Sequence, residues 1–136
     1  MMEKIVLDSY ALISVFMDEE GAEFVSKILL DGNAGKIELH ITSYNMGEVY
    51  YMIWRKSSKV KADICWHAMI DLHLIITEPT IDLTFTAATL KATHKLSYAD
   101  AHAAALALHI NATLLTNDKE FDSLKDIKGF KVKYIS

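Results

Sequence analysis

The chain has 136 residues, of which 51% are hydrophobic and 24% charged, and a formal net charge of -4. That length and composition predict a single folded domain over residues 1–136 and exclude a disordered or low-complexity polymer. The acidic balance excludes a general nucleic-acid coat, and no apolar stretch is long enough to span a bilayer. The lone Cys65 has no intramolecular disulfide partner, and Met1-Met2-Glu3-Lys4 is not followed by a signal-like apolar segment. A cytoplasmic location is therefore expected.

Ile5-Val6-Leu7 is a short continuous apolar run of the kind found in buried parallel strands. Asp8 or Ser9 then caps a helix from Tyr10 to about Phe16. A second helix is predicted from about Glu19 to Leu30, with residues 31–35 stopping it. Ile37 to Ile41 alternates and reads as a second strand. Thr42 or Ser43 caps the next helix, which carries Glu48 and runs to about Lys56. Val60 to Asp71 reads as a further helix, and Leu74-Ile75-Ile76 as a third strand. Beyond Pro79 a helix runs from about Ile81 to His94. Ser97 opens an alanine-rich helix to Ile110, which Asn111 stops. Thr113-Leu114-Leu115 is a fourth strand, Asp118 caps a short turn through Phe121 and Leu124, and Val132 to Ile135 is the last strand.

Short apolar strands alternating with helices argue for an α/β fold with a parallel sheet covered on both faces. Ligands in such sheets bind at the carboxyl ends of the strands. Asp8 and Asp118 sit at or just past such ends. Glu48 and Asp100 sit near the starts of helices that begin at the same edge. Topology alone thus places all four acids on one rim.

Four stretches carry a family likeness. They are Val6-Leu7-Asp8-Ser9-Tyr10-Ala11-Leu12, Ser43 through Glu48, Asp100-Ala101-His102-Ala103-Ala104-Ala105-Leu106-Ala107, and Ala112 through Phe121. In this order the chain resembles a PIN domain, and most closely the VapC-like toxin nucleases. The resemblance implies a three-layer α/β/α sandwich around a central parallel sheet of four to five short strands. It implies a metal-dependent endoribonuclease using Mg²⁺ or Mn²⁺, an RNA substrate, an antitoxin partner and a homodimer. Carried over by position, the acidic quartet falls on Asp8, Glu48, Asp100 and Asp118, the hydroxyl residue on Thr116, and a further acid on Asp122. Asn117 stands where the family often has a basic residue.

The chemistry is consistent with that implication. Two carboxylates about 5 Å apart repel by roughly 3 kcal/mol at an effective dielectric near 20. A cluster of four must hold protons or bind a cation. Oxygen-only ligands suit Mg²⁺ or Mn²⁺. His102 and His109 stand roughly 10 Å apart along a helix, which disfavours zinc. Asp8 and Asp100 are the expected principal metal ligands. Glu48 and Asp118 would complete the shell, hold a second ion or position the attacking water, and Thr116 would donate a hydrogen bond.

Taken singly, each acid has a plainer reading. Asp8 and Asp118 serve equally well as caps, Asp100 fits a capping-box-like helix start, and Glu48 is a solvated residue or a partner of Arg55. The joint pattern favours the enzyme. A non-catalytic PIN-like assembly module is the alternative. A haloacid-dehalogenase-like phosphatase would need a second Asp where Tyr10 stands. The basic run Arg55, Lys56, Lys59 and Lys61 is either a local source of attraction for nucleic acid or a solvated loop.

Overall fold

A computed structural model describes residues 2–136. Five strands are formed: β1 (Lys4–Leu7), β2 (Glu38–Thr42), β3 (Ile75–Thr77), β4 (Thr113–Thr116) and β5 (Lys131–Tyr134). They make one sheet in the order β3-β2-β1-β4-β5, with every pairing parallel. The helices are α1 (Ser9–Phe16), α2 (Ala22–Asn33), α3 (Ser43–Lys56), α4 (Lys59–Asp71), α5 (Ile81–Thr93) and α6 (Tyr98–His109), with a 3₁₀ turn at Lys119–Leu124. This is the three-layer α/β/α arrangement expected from the alternation of elements. Among the described residues no helix is long and apolar enough to cross a membrane.

The pleat of β1 explains the three layers. Ile5 and Leu7 point into a core shared with α1, α2 and α3 through Leu12, Val25 and Ile53. Val6, between them, points into the opposite core with Leu83, Leu106 and Phe121. Both faces are buried, so the strand reads as a continuous apolar run rather than an alternating one. On α6, Ala101, Ala103, Ala104, Ala105 and Ala107 are all buried. Their small side chains let this helix lie close against the sheet.

The second helix departs from expectation at both ends: it spans Ala22–Asn33 rather than about Glu19 to Leu30. Gly21 holds a left-handed conformation (φ 89°), so the preceding turn delays the start. At the other end Gly32 does not stop the helix. It is buried inside it, where a Cβ would overlap the Leu39 side chain of β2. Packing thus overrides glycine's weak helical preference. The remaining boundaries agree within one or two residues, because the caps Thr42, Ser58, Thr80 and Ser97 each accept an N–H of the first turn.

β1 lies at the centre of the sheet. The chain winds outward from it to β2 and β3, then crosses back to β4 on its other side. The carboxyl ends of β1 and β4 therefore flank the point where the winding reverses, which is where parallel sheets open a crevice.

Candidate metal centre

Asp8 is the residue just past β1. It occupies the N-cap position of α1, yet its side chain makes no capping hydrogen bond to that helix. Its Oδ2 instead accepts from Thr116 Oγ1 at 2.7 Å. Thr116 Oγ1 in turn accepts from the Asp118 N–H at 2.9 Å. This relay across the β1–β4 pair fixes one carboxylate oxygen and the start of the following turn together. Asp8, Thr116 and Asn45 are all fully buried.

Asn45, in the first turn of α3, holds the other side. Its Nδ2 donates to Ser9 Oγ at 3.0 Å, to the Ala99 carbonyl at 3.4 Å and, at the long end of the range, to Asp8 Oδ1 at 3.5 Å. Ser9 Oγ donates to the Asn45 carbonyl at 3.2 Å. The Thr42 hydroxyl donates to Asn45 Oδ1 while accepting from Asn45 N. One buried amide therefore ties together the ends of β1 and β2 and the starts of α3 and α6. Glu48 is one turn beyond Asn45, and Asp100 is next to Ala99. The knot draws both toward Asp8.

Carboxylate oxygens of Asp8, Glu48 and Asp100 all lie within 4.8 Å of one another. Asp100, Asp118 and Glu120 form a second trio at the same spacing. The four expected acids are thus brought to one place as two trios sharing Asp100, not as a single mutual quartet. Asp118 also caps the 3₁₀ turn, accepting from the Glu120 N–H at 2.9 Å. Asp122 lies in neither trio; its Oδ1 accepts from the Tyr134 hydroxyl. Asn117 is exposed on the rim beside Asp118.

Sequence reasoning missed Asn45 and Glu120. Asn45 was detectable as the third residue after Thr42, the spacing of a cap reinforced by a side chain. Glu120 was detectable as an acid in the first turn after Asp118.

Charge is left unbalanced here. Among the described residues, no Lys, Arg or His nitrogen lies within 4.0 Å of these acids. Burial first, then the charges of Glu48 and Asp118, opposes ionisation of Asp8, and Thr116 only partly offsets them; its pKa is pushed up to about 7. Burial, then Asp8, Asp118 and Glu48, pushes Asp100 up to about 9. The Tyr10 phenol is raised by burial and then by all four acids, so it stands over the whole group. Glu48 Oε1 is buried with no hydrogen-bond partner. An orphaned anionic oxygen beside two crowded carboxylates, with only oxygen donors, fits a hard divalent cation.

His102 is elsewhere. It is fully buried in α6, with Nδ1 2.8 Å from the Tyr98 carbonyl and its ring stacked on Tyr44. A carbonyl only accepts, so Nδ1 carries the proton and Nε2 is left without a partner. Arg55 does not pair with Glu48; its guanidinium sits over the Tyr51 ring, 5.2 Å from the centroid.

Solved structures share this architecture. The DNA-bound VapBC complex from Salmonella typhimurium contains a chain that matches with a TM-score of 0.74 at 15% identity, covering 99% of this chain and 100% of that one. VapBC2 from Rickettsia felis, bound to a promoter DNA fragment, matches with a TM-score of 0.72 at 18% identity, covering 96% and 98%. VapC20 of Mycobacterium tuberculosis, a toxin that cleaves the sarcin-ricin loop, matches with a TM-score of 0.67 at 16% identity, covering 81% and 86%. No curated protein matches by sequence. The PIN domain model matches residues 5–127, which span β1 to the 3₁₀ turn and include every acid of both trios, and the chain belongs to the PIN domain family.

Proposed function

We propose that this chain is a metal-dependent endoribonuclease, the toxin of a toxin–antitoxin pair. The observation that carries the reading is the trio of buried Asp8 and Asp100 with half-buried Glu48, which lacks a cationic partner and sits at the carboxyl edge of the sheet in a PIN domain. Asp8 and Asp100 are the principal ligands of a Mg²⁺ or Mn²⁺ ion, with Glu48 and Asp118 beside them. When bound, that ion supplies Lewis-acid stabilisation of charge developing on a phosphodiester.

The chain's own residues do the rest. Thr116 and Asn45 orient the two oxygens of Asp8. The unpartnered Oε1 of Glu48 would accept the proton of a water attacking the phosphorus while the P–O bond to the leaving nucleoside breaks and the leaving oxygen takes a proton from solvent; Asp118 would hold that water or a second ion. Asp122 supports the 3₁₀ turn through Tyr134. The VapBC neighbours support an antitoxin partner. The exposed Ile75 and Ile76 on the edge strand β3, and the exposed Ile81 and Phe85 on α5, support a homodimer. The protein acts in the cytoplasm.

The test is cleavage of a panel of messenger, transfer and ribosomal RNAs with Mg²⁺ or Mn²⁺ and with EDTA. Asp8→Asn and Asp100→Asn should each abolish cation-dependent cleavage while circular dichroism stays native. Full activity in either variant refutes the assignment.

A further inference from the structure

An acidic centre repels the phosphate chain it is meant to cut, and the net charge of -4 gives no general attraction. Local cations on the rim must supply it. Two cavities flank the acids and share Tyr10 as the ridge between them. One, of about 280 Å³, is lined by Tyr10, Glu48, Tyr51, Met52, Arg55 and Lys56. The other, of about 320 Å³, is lined by Tyr10, Asn117, Asp118 and Lys119. Each contains a cation held over a tyrosine ring. Arg55 lies over Tyr51, and Lys119 Nζ lies 3.7 Å from the centroid of Tyr134.

The rings are themselves anchored. The Tyr51 hydroxyl donates to Glu48 Oε2 at 3.4 Å, and that of Tyr134 donates to Asp122. A ring positions a cation without cancelling its charge, whereas a carboxylate would cancel it. Lys59, in the same basic run as Arg55, also lies over a ring, 5.6 Å from the Trp54 centroid, but its charge is in addition paired with Asp63 at 2.9 Å. Among the described residues neither Arg55 nor Lys119 has a carboxylate oxygen within 4.0 Å.

We infer that Arg55 and Lys119 are phosphate-holding residues on opposite sides of the acidic centre, and that single-stranded RNA crosses it by way of Tyr10. The inference rests on the nuclease reading above and names how that site holds its substrate. A single strand suits the geometry. Asp8 and Asp100 are 0% and 4% exposed, so a phosphate must bend inward to reach them, which a stiff duplex resists.

The experiment measures binding of a fluorescent pyrimidine RNA strand, by anisotropy over a range of salt, in an Asp100→Asn background that keeps the strand intact. Removing one cation that neutralises a phosphate lowers the slope of log K against log salt by about 0.7 for a single strand. Arg55→Gln and Lys119→Gln should each produce that drop, and together about twice it. Lys36→Gln, at the amino edge of the sheet, and Lys59→Gln change the charge equally and should leave the slope alone. A DNA strand of the same sequence should show the same drops. Equal slopes in all four variants, a drop with RNA only, or no binding would overturn the inference. RNA cleavage by the unsubstituted chain is scored in parallel. Intact slope drops without cleavage sink the nuclease reading and leave the track, whereas cleavage with equal slopes sinks the track alone.

Discussion

Removing divalent ions and raising the pH should destabilise this protein, and the acids give the size of the effect. The Asp8 pKa is about 7 in the fold against an ordinary 3.8. Between those values the folded chain binds more protons than the unfolded one, so stability falls as pH rises. The contribution is fully present below 3.8 and lost above about 7. At roughly 1.4 kcal/mol per pH unit, Asp8 alone accounts for about 4 kcal/mol. Asp100, pushed up to about 9, acts in the same direction and continues to that pH. For a domain of this size, a loss of about 4 kcal/mol lowers Tm by on the order of 10 °C.

The assay is thermal melting in EDTA at about pH 4 and about pH 8, repeated with Mn²⁺. The expected result is a Tm that drops with pH in EDTA and recovers when the ion is added, by about 2.7 kcal/mol at a hundredfold excess over Kd. Asp100→Asn removes one of the crowded charges. At about pH 8 in EDTA it should melt above the unsubstituted chain, and Mn²⁺ should no longer raise its Tm. A Tm that is flat or rises with pH, or an Asp100→Asn variant that melts lower in EDTA, would refute the charge-crowding argument.

Three substitutions probe the supports. Thr116→Val keeps the shape but strips Asp8 of its 2.7 Å bond and leaves the Asp118 N–H without an acceptor. It should cost about 1–3 kcal/mol in urea unfolding and weaken Mn²⁺ binding measured by calorimetry. Asn45→Ala cuts the knot joining Ser9, Ala99 and Asp8, with an expected loss of about 2–3 kcal/mol and a larger loss of cleavage than of folded fraction. Gly32→Ala forces a methyl group into Leu39, far from the acids. It should lower stability by about 1–3 kcal/mol while leaving the rate of RNA cleavage per folded molecule unchanged.

Most elements were legible because short-range signals mark them. Thr42, Ser58, Thr80 and Ser97 precede helices and cap them. Ile5-Val6-Leu7 reads as a buried strand because both its faces are covered. The limits of the second helix escape such signals because they are set by a left-handed Gly21 and by the packing of Gly32 on Leu39, which lie on different elements. The weight that falls on Asn45 escapes them for a similar reason, although its spacing from Thr42 marks a reinforced cap. A polar residue in the first turn of a helix is ordinary in sequence. Its importance comes from Ser9, 36 residues away, and Ala99, 54 residues away.

The acids carry a different lesson. Reading each as either a cap or a ligand treats a carboxylate as having one function, but it has two oxygens. Asp118 gives Oδ1 to the Glu120 N–H and still lies in a trio with Asp100 and Glu120. Asp8 stands at a cap position without capping the helix; Thr116 takes its Oδ2, and its Oδ1 is left with a single long contact to Asn45 at 3.5 Å. The capping position is therefore a means of placement. A helix that begins at the carboxyl edge of a parallel strand puts its first acidic residues beside the crevice whether or not they cap it. What separates a ligand from a cap is whether an anionic oxygen remains that the protein itself does not satisfy. Glu48 Oε1 is buried and has no such partner, which no single-residue signal in the chain announces.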